Sequence, residues 1–99
     1  MARVSENDVA LAILRIAAAR PDNLCTFHRA RNEVPNHLTL SADDLAVSVT
    51  RPNEPLWHQL IRNVRSHHDT EGNFIYEGFL EHVPRRGYLA TEAGEKHLK

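Results

Sequence analysis

Cysteine occurs once in this chain, as Cys25, so no internal disulfide can form and burial and hydrogen bonding must hold the fold, as suits a reducing compartment. His28 follows three residues later, but no third group orients the pair, and Cys25 reads as core filling rather than a nucleophile. With four glycines in the whole chain there is no glycine-rich phosphate loop. Paired carboxylates and nucleophile-with-base patterns are missing too, so neither an enzyme nor a cofactor is expected. No apolar run approaches the roughly 20 residues that span a bilayer. Ser5, Glu6, Asn7 and Asp8 interrupt any signal-peptide pattern, so the expected location is the cytoplasm, away from membranes. Repeats and low-complexity tracts are missing as well.

Neither charge dominates: 12 Lys and Arg face 13 Asp and Glu, a net charge of −1. Nucleic-acid-binding domains tend to be basic, so any affinity for phosphate must come from where the charges stand. Seven histidines would add positive charge below about pH 6.5, so such binding should strengthen on mild acidification. His58, His67, His68 and His82 place no two ligands one helical turn apart on one face, and no metal is expected.

What is present is an ordinary globular composition, 41% hydrophobic, over 99 residues, enough for one domain (1–99) with a modest core. Ser5 and Asp8 resemble a capping box, and the helix after them places Val9, Ala10, Ile13, Leu14, Ile16 and Ala17 on one broad face until Pro21. Leu11 points toward solvent or a partner. Leu24-Cys25 suits a short strand, and Thr26 caps a second helix with Phe27, Ala30 and Val34 inward, closed by Pro35. On its outer face Arg29 and Glu33 stand at pairing distance. Ser41 to Asp44 is a cap signal for a short helix over 43–47, followed by a loop at 47–50 and a proline-stiffened segment at 51–55.

Residues 55–90 organise the chain. Trp57, Leu60, Ile61 and Val64, with His68, form the apolar stripe of a helix over about 55–69, with Pro55 in its first turn and Asn53 as cap. The opposite face holds His58, Gln59, Arg62, Ser66 and Asp69, with Arg65 at its edge. Phe74-Ile75-Tyr76 is β-prone, Phe79 to Val83 reads as a strand, and Tyr88-Leu89-Ala90 returns, so Pro84-Arg85-Arg86-Gly87 becomes an exposed hairpin tip. Trp57 and Tyr88 read as core packing rather than stacking platforms. Thr91 starts a last helix, weakened by Gly94, that can pack Ala93, His97 or Leu98 under the sheet.

A long amphipathic helix followed by a hairpin with a basic tip is the pattern of a winged helix, so the expected fold is α+β, mainly α, a helix-turn-helix with a C-terminal β-hairpin wing. The run Phe79-Leu-Glu-His-Val-Pro-Arg-Arg-Gly-Tyr-Leu-Ala-Thr-Glu-Ala-Gly94 resembles the wing of the N-terminal winged-helix domain of Mrr-type restriction endonucleases. Leu40, Ser41, Asp44 and Leu45, with Trp57 and Arg62, fit the upstream part of that family's order. One departure is the insertion of 67–78 between helix and strand. The resemblance implies DNA binding or specificity without cleavage, since no nuclease constellation follows the wing.

The expected partner is double-stranded DNA, with the helix in the major groove and the tip at 84–87 on the backbone or minor groove. Gln59, Arg62, Arg65, Ser66, Arg85 and Arg86 are the candidate contacts. On the helix such residues stand equally well as base or phosphate contacts and as a solvated face; at the tip contact is favoured, because a turn needs no arginine. Such a module would serve as a small transcriptional regulator or as a DNA-contacting subunit of a restriction-type system. The alternative is a winged helix that binds a protein partner and no DNA.

Overall fold

Ser5 opens the first helix because its hydroxyl takes the backbone N–H three residues on. Ser5 Oγ accepts from Asp8 N at 3.0 Å while the Asp8 carboxylate accepts from Ser5 N at 2.9 Å. In the computed structural model, which describes residues 3–49, 51 and 53–99, α1 runs Glu6–Ala18. The broad face read from the sequence is buried, with Ala12 added to it. Leu11 is half-buried and packs against the same core, which corrects the expectation that it points away.

Asn23, at φ 57°, turns the chain into β1 (Leu24–Thr26). Thr26 Oγ1 accepts from Arg29 N at 3.1 Å and caps α2 (Phe27–Glu33), after which Pro35 sits in a 3-10 turn, Val34–Asn36. Arg29 does not reach for Glu33 as its spacing suggested. It turns back to donate to the Leu24 carbonyl at 3.0 Å, with Asp22 3.9 Å away, and so satisfies a strand-end acceptor. A second capping box, Ser41 with Asp44, closes α3 (Ala42–Leu45). Asp44 is fully buried, and its carboxylate accepts from Ser41 N, Ser41 Oγ and Val4 N at 2.8, 3.0 and 3.2 Å, which offsets its desolvation.

The next segment departs from the sequence reading. Val47 and Pro55 form an antiparallel bridge, with Ser48 N donating to Glu54 O and Leu56 N to Ala46 O, both at 2.8 Å. Asn53 takes φ 71° inside this loop instead of capping a helix. Pro55 is thus held in extended pairing, and the helix expected over 55–69 is the shorter α4, His58–Ser66, which starts from Trp57 without a side-chain cap. Thr50 and Pro52, part of the loop and stiff segment expected there, lie outside the described residues. Trp57, Ile61 and Val64 are buried and Leu60 half-buried, whereas His68 is exposed beyond the helix end.

Phe74-Ile75-Tyr76 forms a turn, not a strand. The Asn73 carboxamide oxygen accepts from Ile75 N at 2.7 Å and Tyr76 N at 3.2 Å, and its NH2 donates to Val64 O at 2.9 Å, so a local side-chain network overrides β propensity. Then β2 (Leu80–Val83) and β3 (Gly87–Ala90) form the hairpin. With β1 they make an antiparallel sheet ordered β1-β3-β2, in which Cys25 and His82 flank Tyr88. Helix α1 packs on β1, β3 and α4. Among the described residues the fold is α+β, with five α-helices around this sheet, and no helix is long and apolar enough to cross a membrane.

Thr91 caps α5 (Glu92–His97), where Gly94 is a packing requirement. A Cβ there would lie 2.2 Å from the Phe79 carbonyl oxygen and 2.8 Å from Leu14 Cδ1. His97 stacks on Phe79 at 4.2 Å and Leu98 packs against the core, while Ala93 is exposed. In an open helix interior Gly→Ala gains about 0.5–1 kcal/mol. At Gly94 the overlap reverses that sign, and Gly94→Ala should lower stability by about 1–3 kcal/mol in urea denaturation. A variant more stable than the parent would show that α5 does not approach β2 this closely.

Candidate nucleic-acid interface

Tyr88 occupies the middle of the central strand and is fully buried. Its hydroxyl donates to the Ile61 carbonyl of α4 at 2.5 Å, and its ring meets Phe27 of α2 edge-on at 5.6 Å. One side chain therefore sets the hairpin against both helices. At the hairpin root a Cβ on Gly87 would lie 2.0 Å from the Cys25 carbonyl oxygen, so only glycine lets β1 run this close. Phe27 N donates to the Arg86 carbonyl at 3.0 Å, which joins the start of α2 to the tip. Arg85 takes φ 66°, and this left-handed residue turns the tip back on itself.

Between these elements lies a concave groove of about 750 Å3. Helix α2 contributes His28 and Arg31, the loop before α4 contributes Arg51 and Glu54, and the tip contributes Arg85 and Arg86. His58 and Arg62 enter from α4, and Phe27 and Ile61 supply apolar surface. Five arginines thus face one glutamate in a chain whose net charge is −1. A concave wall of one sign focuses the field and concentrates anions. Guanidinium forks suit phosphate oxygens in particular, which they can bind two at a time.

Arg62 Nη1 lies 2.6 Å from Glu54 Oε1, with the side chains 37% and 23% exposed. A pair this accessible adds little stability. His58 stands edge-on to Trp57 at 4.5 Å. Burial holds its pKa below the ordinary histidine range, helped by Arg31 and Arg62 and opposed by Glu54. It is neutral at pH 7, and any strengthening of anion binding through it sets in below the ordinary titration range.

Of the residues singled out from the sequence, Arg62, Arg85 and Arg86 come together in the groove. Gln59, Arg65 and Ser66 are exposed on α4 outside its lining. Ser66 Oγ donates back to the Arg62 carbonyl at 3.3 Å. Arg65 stands on the hairpin side, where its charge adds to burial in lowering the pKa of His82. Arg31, Arg51 and Glu54 were missed. Arg31 follows Phe27 by four residues, which places it beside the inward stripe of α2, and that spacing was the available signal. Among the described residues no cluster of three or more His, Cys, Asp or Glu could hold a metal ion. Comparison of the chain with protein families, curated proteins and solved structures finds no match.

The core beneath the groove has an alkaline signature. Burial pushes the Tyr88 hydroxyl from 10.0 up to about 12 and the Cys25 thiol from 9.0 up to about 12. Between these limits the unfolded chain has released each proton and the folded chain has not. The stability is therefore complete below about pH 9 and falls as pH rises, by about 1.4 kcal/mol per pH unit for each group. Urea denaturation from pH 8 to pH 11.5 should show Cys25→Ala losing the slope that starts near pH 9 and Tyr88→Phe the part that starts near pH 10. An unchanged slope in both variants would contradict the burial of these groups.

Proposed function

We propose that this chain is a DNA-binding winged-helix module in which α2 and α4 form the helix pair and the β2–β3 hairpin is the wing. The observation that carries this reading is the convergence of five arginines from two helices, a loop and the tip on one groove, although the chain as a whole is slightly acidic. Charge has been placed rather than accumulated. Helix α4 would lie in the major groove, with Arg62 at its inner edge. The wing would hold the backbone or adjacent minor groove through Arg85 and Arg86. The likeness of 79–94 to the wing of Mrr-type N-terminal domains agrees with a role as a small regulator or as a DNA-contacting subunit of a restriction-type system.

A second reading has one observation in its favour. Leu45, Val47 and Val49 are 54%, 64% and 95% exposed, an apolar row suited to a protein partner. Fluorescence anisotropy with a labelled duplex across a salt series separates the two. The DNA reading expects measurable affinity at about 50 mM salt and a linear fall of log K with log[salt]. Arg85→Ala/Arg86→Ala should weaken binding and make the slope shallower by about two. No affinity in the parent protein at low salt would sink the DNA reading in favour of the protein-partner one.

Glu54 supplies an independent check. Glu54→Gln removes the one acid of the groove and loosens its hold on Arg62, so duplex affinity should rise several-fold. In an Arg62→Ala background the gain should shrink, as a double-mutant cycle would register. Equal or weaker binding by Glu54→Gln alone would place the DNA contacts elsewhere.

A further inference from the structure

A phosphodiester backbone calls for cations, and it has no use for an aromatic surface among them. Phe27 is half-buried, and it lines the groove while its ring is fixed edge-on against Tyr88 at 5.6 Å and tilted toward His82 at 6.3 Å. A volume of about 750 Å3 falls in the range of small-ligand sites, about 300–1,000 Å3. A base-paired duplex is too broad to descend into such a space and would lie across its arginine-bearing rim, because what reads a duplex is a convex element inserted into its groove, about 12 Å wide. A single nucleotide that has left the stack can enter. Every base offers a π face to an aromatic ring, and its flanking phosphates would meet arginine whichever way the strand leaves: Arg31 stands on α2, Arg51 on the loop, and Arg85 and Arg86 on the tip.

We propose that the groove takes one unpaired nucleotide of a DNA strand, its base against Phe27 and its flanking phosphates on the surrounding arginines. The inference rests on the DNA-binding reading and narrows it: the preferred ligand carries an unpaired end or a displaced base beside duplex. The same chemistry is offered by a free nucleotide, and the strand is favoured because arginines on opposite walls can serve phosphates on both sides of one base.

The test compares three ligands of equal duplex length: blunt, with a short single-stranded overhang, and with the same overhang made abasic. The parent protein should bind the overhang about tenfold tighter than the blunt duplex, and the abasic overhang should lose most of that gain while keeping its phosphates. Phe27→Leu, checked for an unchanged circular-dichroism spectrum, should lose most of the overhang preference, read as the ratio of overhang to blunt affinity within the same variant. Arg85→Ala/Arg86→Ala should weaken all three ligands. Equal affinity for blunt and overhang duplex, or a preference that survives removal of the base, overturns the proposal and leaves DNA binding standing. No affinity for any of the three removes both. A deoxynucleoside monophosphate that binds as tightly as the overhang duplex assigns the groove to free nucleotides and overturns the strand assignment.

Discussion

The hydrogen bond from the Tyr88 hydroxyl to the Ile61 carbonyl is the contact on which the groove depends. The central strand would otherwise meet α4 only through apolar packing, which fixes distance better than angle. A phenol anchored at both ends fixes both. The ring is clamped in the sheet between Cys25 and His82 and against Phe27, while the hydroxyl ends on the backbone of α4. Two residues beyond Tyr88 toward the tip stands Arg86, and one residue beyond Ile61 stands Arg62. The separation of the arginines is therefore set by the core rather than by their own flexible side chains. That is the preorganisation a binding surface needs, because arginines already held apart lose less freedom when a ligand arrives.

A chain of net charge −1 can line a groove with arginines because its acids stand outside that groove, Glu54 excepted, and several are engaged locally. Asp8 and Asp44 close capping boxes, and Asp44 does so fully buried. Glu6 pairs with His67 and accepts from the Asn73 amide. Glu77 accepts from Gly72 N, and Glu92 pairs with Lys96 along α5. Each carboxylate acts within a few ångströms of its own neighbourhood, and among the groove residues only Glu54 is acidic. Net charge, which sums these local roles with the groove, says little about the potential a ligand meets.

The capping residues were legible in the sequence because each acts on backbone three residues away: Ser5, Thr26, Ser41 and Thr91 all cap as their positions suggested. The buried face of α1 and the hairpin around 84–87 were legible for the same reason, since periodicity and turn chemistry are local. The start of α4 was not. Pro55 suits a first helical turn and an edge pairing equally well, and the pairing with Val47 that decides between them is made by a segment whose β-branched residues showed no evident partner strand. Phe74 to Tyr76 failed similarly, through an Asn73 network reaching back to Val64. Gly94 looked like a flaw in a helix until the Phe79 carbonyl beside it was known. Of the groove, the sequence held the arginines of α4 and the tip, and the spacing from Phe27 hinted at Arg31, but the approach of Arg51 depends on how the loop folds over α4, which no spacing encodes.

Glu54 is the least expected member of the groove, and what it does there follows from its contact with Arg62. A free guanidinium on a long, flexible side chain meets any phosphate in many orientations, which favours affinity without selectivity. Arg62 has one nitrogen 2.6 Å from Glu54 Oε1 instead, an ion pair that ties α4 to the loop before it. The carboxylate lowers the positive potential and so weakens non-specific attraction to backbone phosphates, the sequence-independent part of nucleic-acid binding. It also restricts where the guanidinium sits, which on the proposed DNA reading would count toward a planar base edge more than toward a phosphate. On the proposed DNA reading, an acid in this position would trade affinity for phosphate against placement of Arg62, a trade that favours discrimination over bulk attraction.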